Sequence, residues 1–350
     1  MIRRTAQRPA RIVLAFTGAA VLLASRVAAD TGTTAAVAER AELVMGTVAR
    51  LAIYGPRADP AAFATAFAAL RAVDAQMSLY VPTSELVRVN AHAALHAEPI
   101  GADLYTLLAR ARALSEETDG AFDVTVLPLL RLWGAYPTLG GTADCNRGAV
   151  GFAGLQLDPV GRTVSFRRPG MAVDLGGIAK GFALDRARDA LAVAGVHAAR
   201  LDLGGELALL GRGPEGVWRV AVRDPQASDQ ARGVLALGPD VAVSTSSNYA
   251  RDFAVEGWRA RSHIYDPRTG RPVLAPVAVT VWAPDATTAD ALSTALVVVG
   301  RADAAAVLAR EPMAGALFVD TADRGRAVHF EGRAPLGWED GAPVPAAAAS

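Results

Sequence analysis

The chain of 350 residues carries a single cysteine, Cys145. One thiol builds no intrachain disulfide, zinc–thiolate cluster or iron–sulfur site, and Cys145 reads as an incidental loop residue. An excess of charge of either sign is missing too, since 35 Lys+Arg stand against 35 Asp+Glu. That balance argues against a nucleic-acid partner, which needs a basic face, and no polybasic tract marks an anionic membrane surface. Lysine is almost absent: Lys180 stands alone and every other basic residue is arginine. Against that background a lone lysine marks a place where a compact point charge serves and a wide planar guanidinium does not. Hydrophobic residues make up 52%, much of it alanine. This excludes disorder for the bulk of the chain, and the length suffices for one large domain or two modest ones.

The N-terminus is an address. Arg3, Arg4, Arg8 and Arg11 form a charged region before the apolar Ile12 to Ala24, which is too short for an ordinary membrane span, and Val27-Ala28-Ala29 offers small residues for cleavage. Residues 1–29 are therefore expected to be a signal peptide. Thr5-Ala6-Gln7 after the arginine pair are not the apolar residues of a twin-arginine signal, so general secretion is the expected route, with an uncleaved anchor as the alternative. Either way the domain is expected to work outside the cytoplasm, in the periplasm. Residues 30–41 read as a linker, 42–335 as the folded domain and 336–350 as a flexible tail.

Apolar spacing predicts helices over Pro60–Met77, Ala102–Glu117, Lys180–Ala194, Thr288–Val299 and Asp303–Arg310. Strands are expected over Glu42–Tyr54 (interrupted at Met45-Gly46-Thr47), Ala199–Leu210, Val217–Arg223, Val234–Leu237, Val241–Ser244, Val277–Trp282, Ala316–Val319 and Ala327–Phe330, with a turn at Gly161-Arg162. Hairpin-like groups of strands with interspersed helices point to an α+β fold with mainly antiparallel sheet.

Several familiar signatures fail. Gly211 to Gly216 matches G-x-G-x-x-G, but the alternating Val217-Trp218-Arg219-Val220 follows where a dinucleotide site needs a helix, so the glycines read as a hairpin loop. Gly181 follows Lys180, so there is no Walker A motif. His92, His96, His197 and His329 read as surface or packing residues.

Four stretches carry chemistry. In Asp174-Leu175-Gly176-Gly177-Ile178-Ala179-Lys180-Gly181 a strand ends in a carboxylate, two glycines permit close approach, and a helix begins. Helix N-termini suit anions. A lysine there opposes the helix dipole, which fits a phosphate contact better than a solvated turn. In Thr287-Thr288-Ala289-Asp290-Ala291-Leu292-Ser293-Thr294, Asp290 and Thr294 share one helix face. They form an oxygen set suited to Mg2+, although Thr288 or Asp290 would serve equally as a helix cap. In Ser262-His263-Ile264-Tyr265-Asp266-Pro267-Arg268-Thr269-Gly270 a tight turn follows a histidine able to act as a general base, or simply to pack. Val243-Ser244-Thr245-Ser246-Ser247-Asn248-Tyr249 is a hydroxyl-rich strand end, fit for a phosphate or for solvent.

Taken in order, these stretches resemble the ApbE family of FAD:protein FMN transferases. The likeness runs from Met45-Gly46-Thr47 to about Gly300 and includes Met77-Ser78-Leu79-Tyr80, Ser84-Glu85-Leu86 with Asn90, Thr118 to Thr125, Trp133-Gly134 and Leu203-Gly204-Gly205. The resemblance implies an ApbE-like, T-fold-like single catalytic domain. It implies FAD contacts from Met45, Tyr80, Ala121, Phe122, Asp123, Asp174, Lys180 and Ile264, with Tyr80 stacking on an aromatic system. It implies Mg2+ held by Asp290, Thr294 and the Gly177 carbonyl, with Ser293 nearby. Ser247 and Asn248 depart from the family's glycine and acid or amide. The implied reaction moves FMN from FAD to a Ser/Thr hydroxyl of an exported or membrane-associated redox protein and releases AMP. His263 is the first candidate for the base and Asp266 or a metal-bound water the fallback, beside Lys180 as electrostatic support. The same residues would also permit hydrolysis of FAD by water, or flavin binding without chemistry.

Overall fold

The computed structural model describes residues 37–136, 147–225, 230–247, 253–255, 258–260, 262–275, 277–320 and 327–341. Residues 1–29, Cys145, Asn248 and Tyr249, and everything from Ala342 onward lie outside them. The strands are β1 (Val37–Val44), β2 (Thr47–Tyr54), β3 (Glu98–Pro99), β4 (Leu155–Asp158), β5 (Thr163–Phe166) and β6 (Ala199–Leu203). There follow β7 (Glu206–Leu210), β8 (Trp218–Arg223), β9 (Ala231–Leu237), β10 (Val241–Ser247), β11 (Phe253–Val255) and β12 (Trp258–Ala260). The last are β13 (Tyr265–Asp266), β14 (Arg271–Pro272), β15 (Val277–Ala283), β16 (Gly315–Asp320), β17 (Val328–Gly332) and β18 (Gly337–Asp340). The helices are α1 (Pro60–Met77), α2 (Glu85–His92), α3 (Ala102–Glu117), α4 (Leu127–Leu132), α5 (Ala179–Val193), α6 (Ala286–Val299) and α7 (Arg301–Leu308).

An eight-stranded sheet, in the order β1-β2-β6-β7-β10-β15-β16-β17, forms the frame. Its pairings are all antiparallel, so the α+β expectation holds. Period-2 alternation divides each strand between two cores. On one face Ala208, Ala242, Val279, Val281 and Phe318 join α1, α5 and α6 in the main core. On the other, Leu207, Leu209, Val243, Trp282 and Leu317 pack against Trp218, Val220 and Leu235 of the small sheet β18-β9-β8. The result is a helix layer, a large sheet and a small sheet, with α5 and α6 set side by side on the large sheet.

Two tight turns bring distant segments to one edge of this sheet. Met45 and Gly46 have φ of 52° and 70° between the paired Val44 and Thr47, which matches the two-residue hairpin turn that needs positive φ at both central positions. Gly204 and Gly205, at 67° and 97°, close β6 onto β7 in the same way. The turns abut: a Cβ on Gly204 would lie 2.9 Å from Thr47 Oγ1.

The structure corrects several expectations. The predicted strand over Ala199–Leu210 is this hairpin, and the linker to Ala41 is already β1 from Val37, paired with β2. Glu39, Arg40 and Glu42 hide that strand, but charge is how an edge strand is kept from pairing further. The start of the expected flexible tail is strand β18 over Gly337–Asp340, paired with β9, and the rest of it, from Ala342, lies outside the described residues. The Gly211 to Gly216 loop passes from the large sheet to the small one and is not a hairpin. Met171–Asp174 forms no strand; the Asn90 side chain takes the place of a ladder, accepting from Val173 N at 2.7 Å and donating to Val173 O at 2.9 Å. Asn90 sits on α2, a helix missing from the sequence expectation, capped by Ser84 Oγ on Val87 N.

Candidate active site

The two stretches singled out at helix starts meet at the crossing of α5 and α6. Neither Thr288 nor Asp290 caps α6. Asp285 accepts from Thr288 N at 2.7 Å, and Asp185, reaching over from α5, accepts from Ala286 N and Thr287 N at 2.8 Å each. Asp290 is thereby left in the second turn, 3% exposed. Among the described residues its carboxylate accepts one hydrogen bond, from Gly181 N to Oδ2 at 3.0 Å. The first residue of α5 follows Ile178, which makes no side-chain cap, so Asp290 serves the start of α5 instead. Burial pushes the Asp290 carboxyl above its ordinary value, while Lys180 and the Gly181 N–H pull the other way.

Lys180 is one-third exposed and ion-pairs with Glu206 at the head of β7, next to the Gly204-Gly205 turn. Glu206 is buried, and among the described residues its Oε2 has no hydrogen-bond partner. Nothing in its local sequence, beyond the preceding glycine pair, marked Glu206 in advance. Thr294, partly exposed, faces Gly177: a Cβ there would lie 3.3 Å from Thr294 Oγ1 and 3.5 Å from the Phe122 ring. Ser293 is fully buried and donates to Asp290 O at 2.9 Å, with Ser244 and Ser246 hydroxyls 3.2 and 2.8 Å away. Ser293 thus anchors the hydroxyl row of β10 to α6, and Ser246 passes it on to Thr294 at 3.3 Å. Thr245 points to the other face and bonds Thr280.

A second group adjoins this one through Gly176. Asp174 is buried and accepts from Gly176 N at 2.9 Å and from Tyr136 OH at 2.7 Å. Burial raises its carboxyl, and these two bonds moderate the rise. The Tyr136 ring meets that of Tyr80 edge to face, centroids 6.2 Å apart, and Tyr80 is 65% exposed, an open aromatic face at the rim. Tyr136 escaped the sequence reading because it lies at the end of an irregular stretch. Tyr136→Phe keeps the ring contact and removes one of the two bonds to a buried carboxylate. It should lower stability by about 1–2 kcal/mol, readable in a denaturant titration.

The remaining predicted residues frame the site. Asp123 is buried with both oxygens in use, Oδ1 by Thr125 N and Oγ1 and Oδ2 by Phe152 N at 2.8 Å. It shapes the loop that presents Ala121 and Phe122, both buried. Met45 N donates to Asp74 Oδ2 at 3.1 Å, fixing the β1–β2 turn to α1. The loop from Ser262 to Pro272 leans on this frame: Trp133 Nε1 donates to Gly270 O at 3.1 Å, and Arg268 Cγ would lie 3.7 Å from a Cβ on Gly120. Ile264 is buried, and His263 is half-buried in the bend before β13 rather than on a strand. Asp266 is engaged within its own turn, accepting from Arg268 N and Nε at 2.9 Å.

An ordered set of oxygens and a lone lysine at a helix start, beside an aromatic rim, is an arrangement for a phosphate-bearing aromatic ligand. The sequence profile of the ApbE family matches residues 45–318, which span every one of these groups. The chain belongs to the ApbE family. An ApbE relative from Vibrio cholerae, named FAD:protein FMN transferase, is 35% identical over 73% of this chain and 78% of its own. One of the same name from Treponema pallidum is 34% identical over 82% of this chain and 86% of its own. Among solved ApbE structures, the flavin transferase of Vibrio cholerae superposes with a TM-score of 0.73 at 32% identity, covering 85% of this chain and 97% of that one. The ApbE protein of Thermotoga maritima gives the same TM-score at 31% identity, with 85% and 97% covered.

Proposed function

We propose that this chain transfers FMN from FAD to a serine or threonine hydroxyl of an exported acceptor flavoprotein, releasing AMP, in a Mg2+-dependent reaction outside the cytoplasm. The observation that carries the reading is the buried Asp290, freed from capping α6 by Asp285 and Asp185 and set against the first turn of α5, which carries Lys180.

The donor set fits a hard dication. Asp290 Oδ1 takes no hydrogen bond among the described residues, and the Thr294 hydroxyl and Gly177 stand next to it in the same crossing. Asp290, Thr294 and the Gly177 carbonyl would hold Mg2+, with Ser293 fixing the helix turn that carries them. When bound, Mg2+ supplies positive charge to the FAD pyrophosphate as charge shifts to the leaving phosphate.

The chain's own residues do the rest. Lys180 adds a second positive charge, with Glu206 holding the ammonium in place. Tyr80, backed by Tyr136, offers a ring to stack on the flavin or adenine. The acceptor oxygen bonds to the FMN-side phosphorus, and the bond from that phosphorus to the bridging oxygen breaks. AMP departs with the electron pair, and the hydroxyl proton goes to a base. His263 is the proposed base, because the Asp266 carboxylate is held by Arg268. His263→Ala should slow single-turnover transfer by about 10²- to 10⁴-fold with FAD affinity kept; an unchanged rate removes His263 from that role.

Product analysis tests the reaction class. With FAD, Mg2+ and an acceptor fragment, AMP should appear in step with acceptor-bound flavin. Equal FMN and AMP released without an acceptor, at the same rate, would make the chain an FAD pyrophosphatase. Unchanged FAD with any acceptor would leave a flavin-binding protein.

A further inference from the structure

Away from the site just described, His92 at the end of α2, His96 in the following turn and Glu98 of β3 form a separate cluster. We propose that these three residues bind a transition-metal dication of the zinc type. Their ligand atoms all lie within 4.8 Å of one another. Glu98 is 5% exposed, so its carboxylate is fixed within the fold. Its Oε1 accepts from Arg88 Nε at 2.5 Å. That bond turns Oε2 toward the two imidazoles, with His92 Nδ1 at 3.7 Å and His96 Nδ1 at 3.6 Å. Hydrogen-bonded support of a ligating carboxylate is the usual accompaniment of a metal site.

The spacing leaves room for an ion between the groups. Both nitrogen–oxygen distances exceed hydrogen-bonding range. They are close to the edge of a tetrahedron around zinc, about 3.4 Å for bonds of about 2.0–2.1 Å. The rings are stacked, centroids 5.7 Å apart and 24° from parallel, and both Nδ1 atoms face the same Glu98 oxygen. His96 Nδ1 also lies 3.4 Å from Ala97 O, a weak contact that an ion would replace. Two imidazoles and one carboxylate favour zinc, copper, nickel or cobalt over Mg2+ and Ca2+, which prefer oxygen. Three protein ligands on one side leave a fourth position to water.

The two histidines are about half exposed, so replacing them spares the core. The full chain would be titrated with Zn2+ by calorimetry in a large excess of Mg2+, which would fill the oxygen site proposed at Asp290. One zinc equivalent per chain is expected. His92→Gln and His96→Gln, each made singly, should weaken it at least about tenfold, since even supporting residues around a metal are worth 10- to 100-fold. Thermal unfolding would confirm that both variants fold. Absence of zinc uptake by the wild-type chain, or uptake retained at full affinity in both variants, would overturn the assignment.

Discussion

Asp290→Asn is expected to reduce flavin transfer at least about 10³-fold while leaving the metal-free protein as stable as the wild type or more so. The loss follows from the proposed loss of the anionic metal ligand, whose dication contributes several kcal/mol to a transition state of this kind. The stability result follows from burial. Desolvation raises the Asp290 carboxyl, with Lys180 and the Gly181 N–H only partly opposing it. A carboxyl whose folded pKa is raised holds its proton more tightly in the native state than in the unfolded chain. Its contribution is therefore neutral below the unfolded value of about 4 and becomes unfavourable as pH climbs through the raised native value. Asparagine never ionises and still presents an oxygen to Gly181 N. Metal-free wild type should lose stability relative to the variant as pH rises from about 4 to 7. Asp174 titrates in the same direction but is common to both proteins, so the difference isolates Asp290. Mg2+ at pH 7 should raise the wild-type melting temperature and leave that of Asp290→Asn unchanged. A variant melting well below the wild type in EDTA would show that Asp290 is structural.

Gly181→Ala should be the most damaging small substitution in the site. The added Cβ would stand 2.1 Å from the Ala286 carbonyl oxygen, 2.6 Å from its carbon and 2.9 Å from Asp290 Cβ. The first two are backbone, so no rotamer change relieves the clash and α5 must separate from α6. Overpacking of this kind costs about 3 kcal/mol, on the order of 10 °C in melting temperature for a domain of this size. The same separation moves Gly177 away from Thr294, so Mg2+-dependent stabilisation should weaken as well. Gly238→Ala is the control: its Cβ would meet nothing nearer than Leu336 at 3.9 Å, and its φ is ordinary. Melting within a degree or two of the wild type for Gly181→Ala would contradict the described crossing.

What could be read in advance follows the range of the interactions. α1 and α3 coincide with the predicted Pro60–Met77 and Ala102–Glu117 because apolar spacing and a following turn are local signals. The helix starts carrying Lys180 and Asp290 were legible for the same reason. α2 was missed because eight residues give too short a periodicity, although Ser84 ahead of Glu85 was a usable cap signal. The role of Asp290 was ambiguous until Asp185, 101 residues away in sequence from Ala286, took over the capping. Glu206 beside Lys180 and Tyr136 on Asp174 are likewise meetings of segments that neither sequence neighbourhood announces. The Met171–Asp174 stretch looked like a strand because it is apolar and extended, yet its partner is the side chain of Asn90 rather than another strand.

Covalent transfer of flavin onto another protein, with a metal held by Asp290, is tested most directly by flavin fluorescence of a candidate acceptor fragment on a denaturing gel, after incubation with the chain, FAD and Mg2+. A fluorescent acceptor band is predicted, lost with EDTA and lost with Asp290→Asn. A band that persists under both treatments would contradict the assignment of the metal and of Asp290, and failure to label any competent acceptor would contradict the transfer itself.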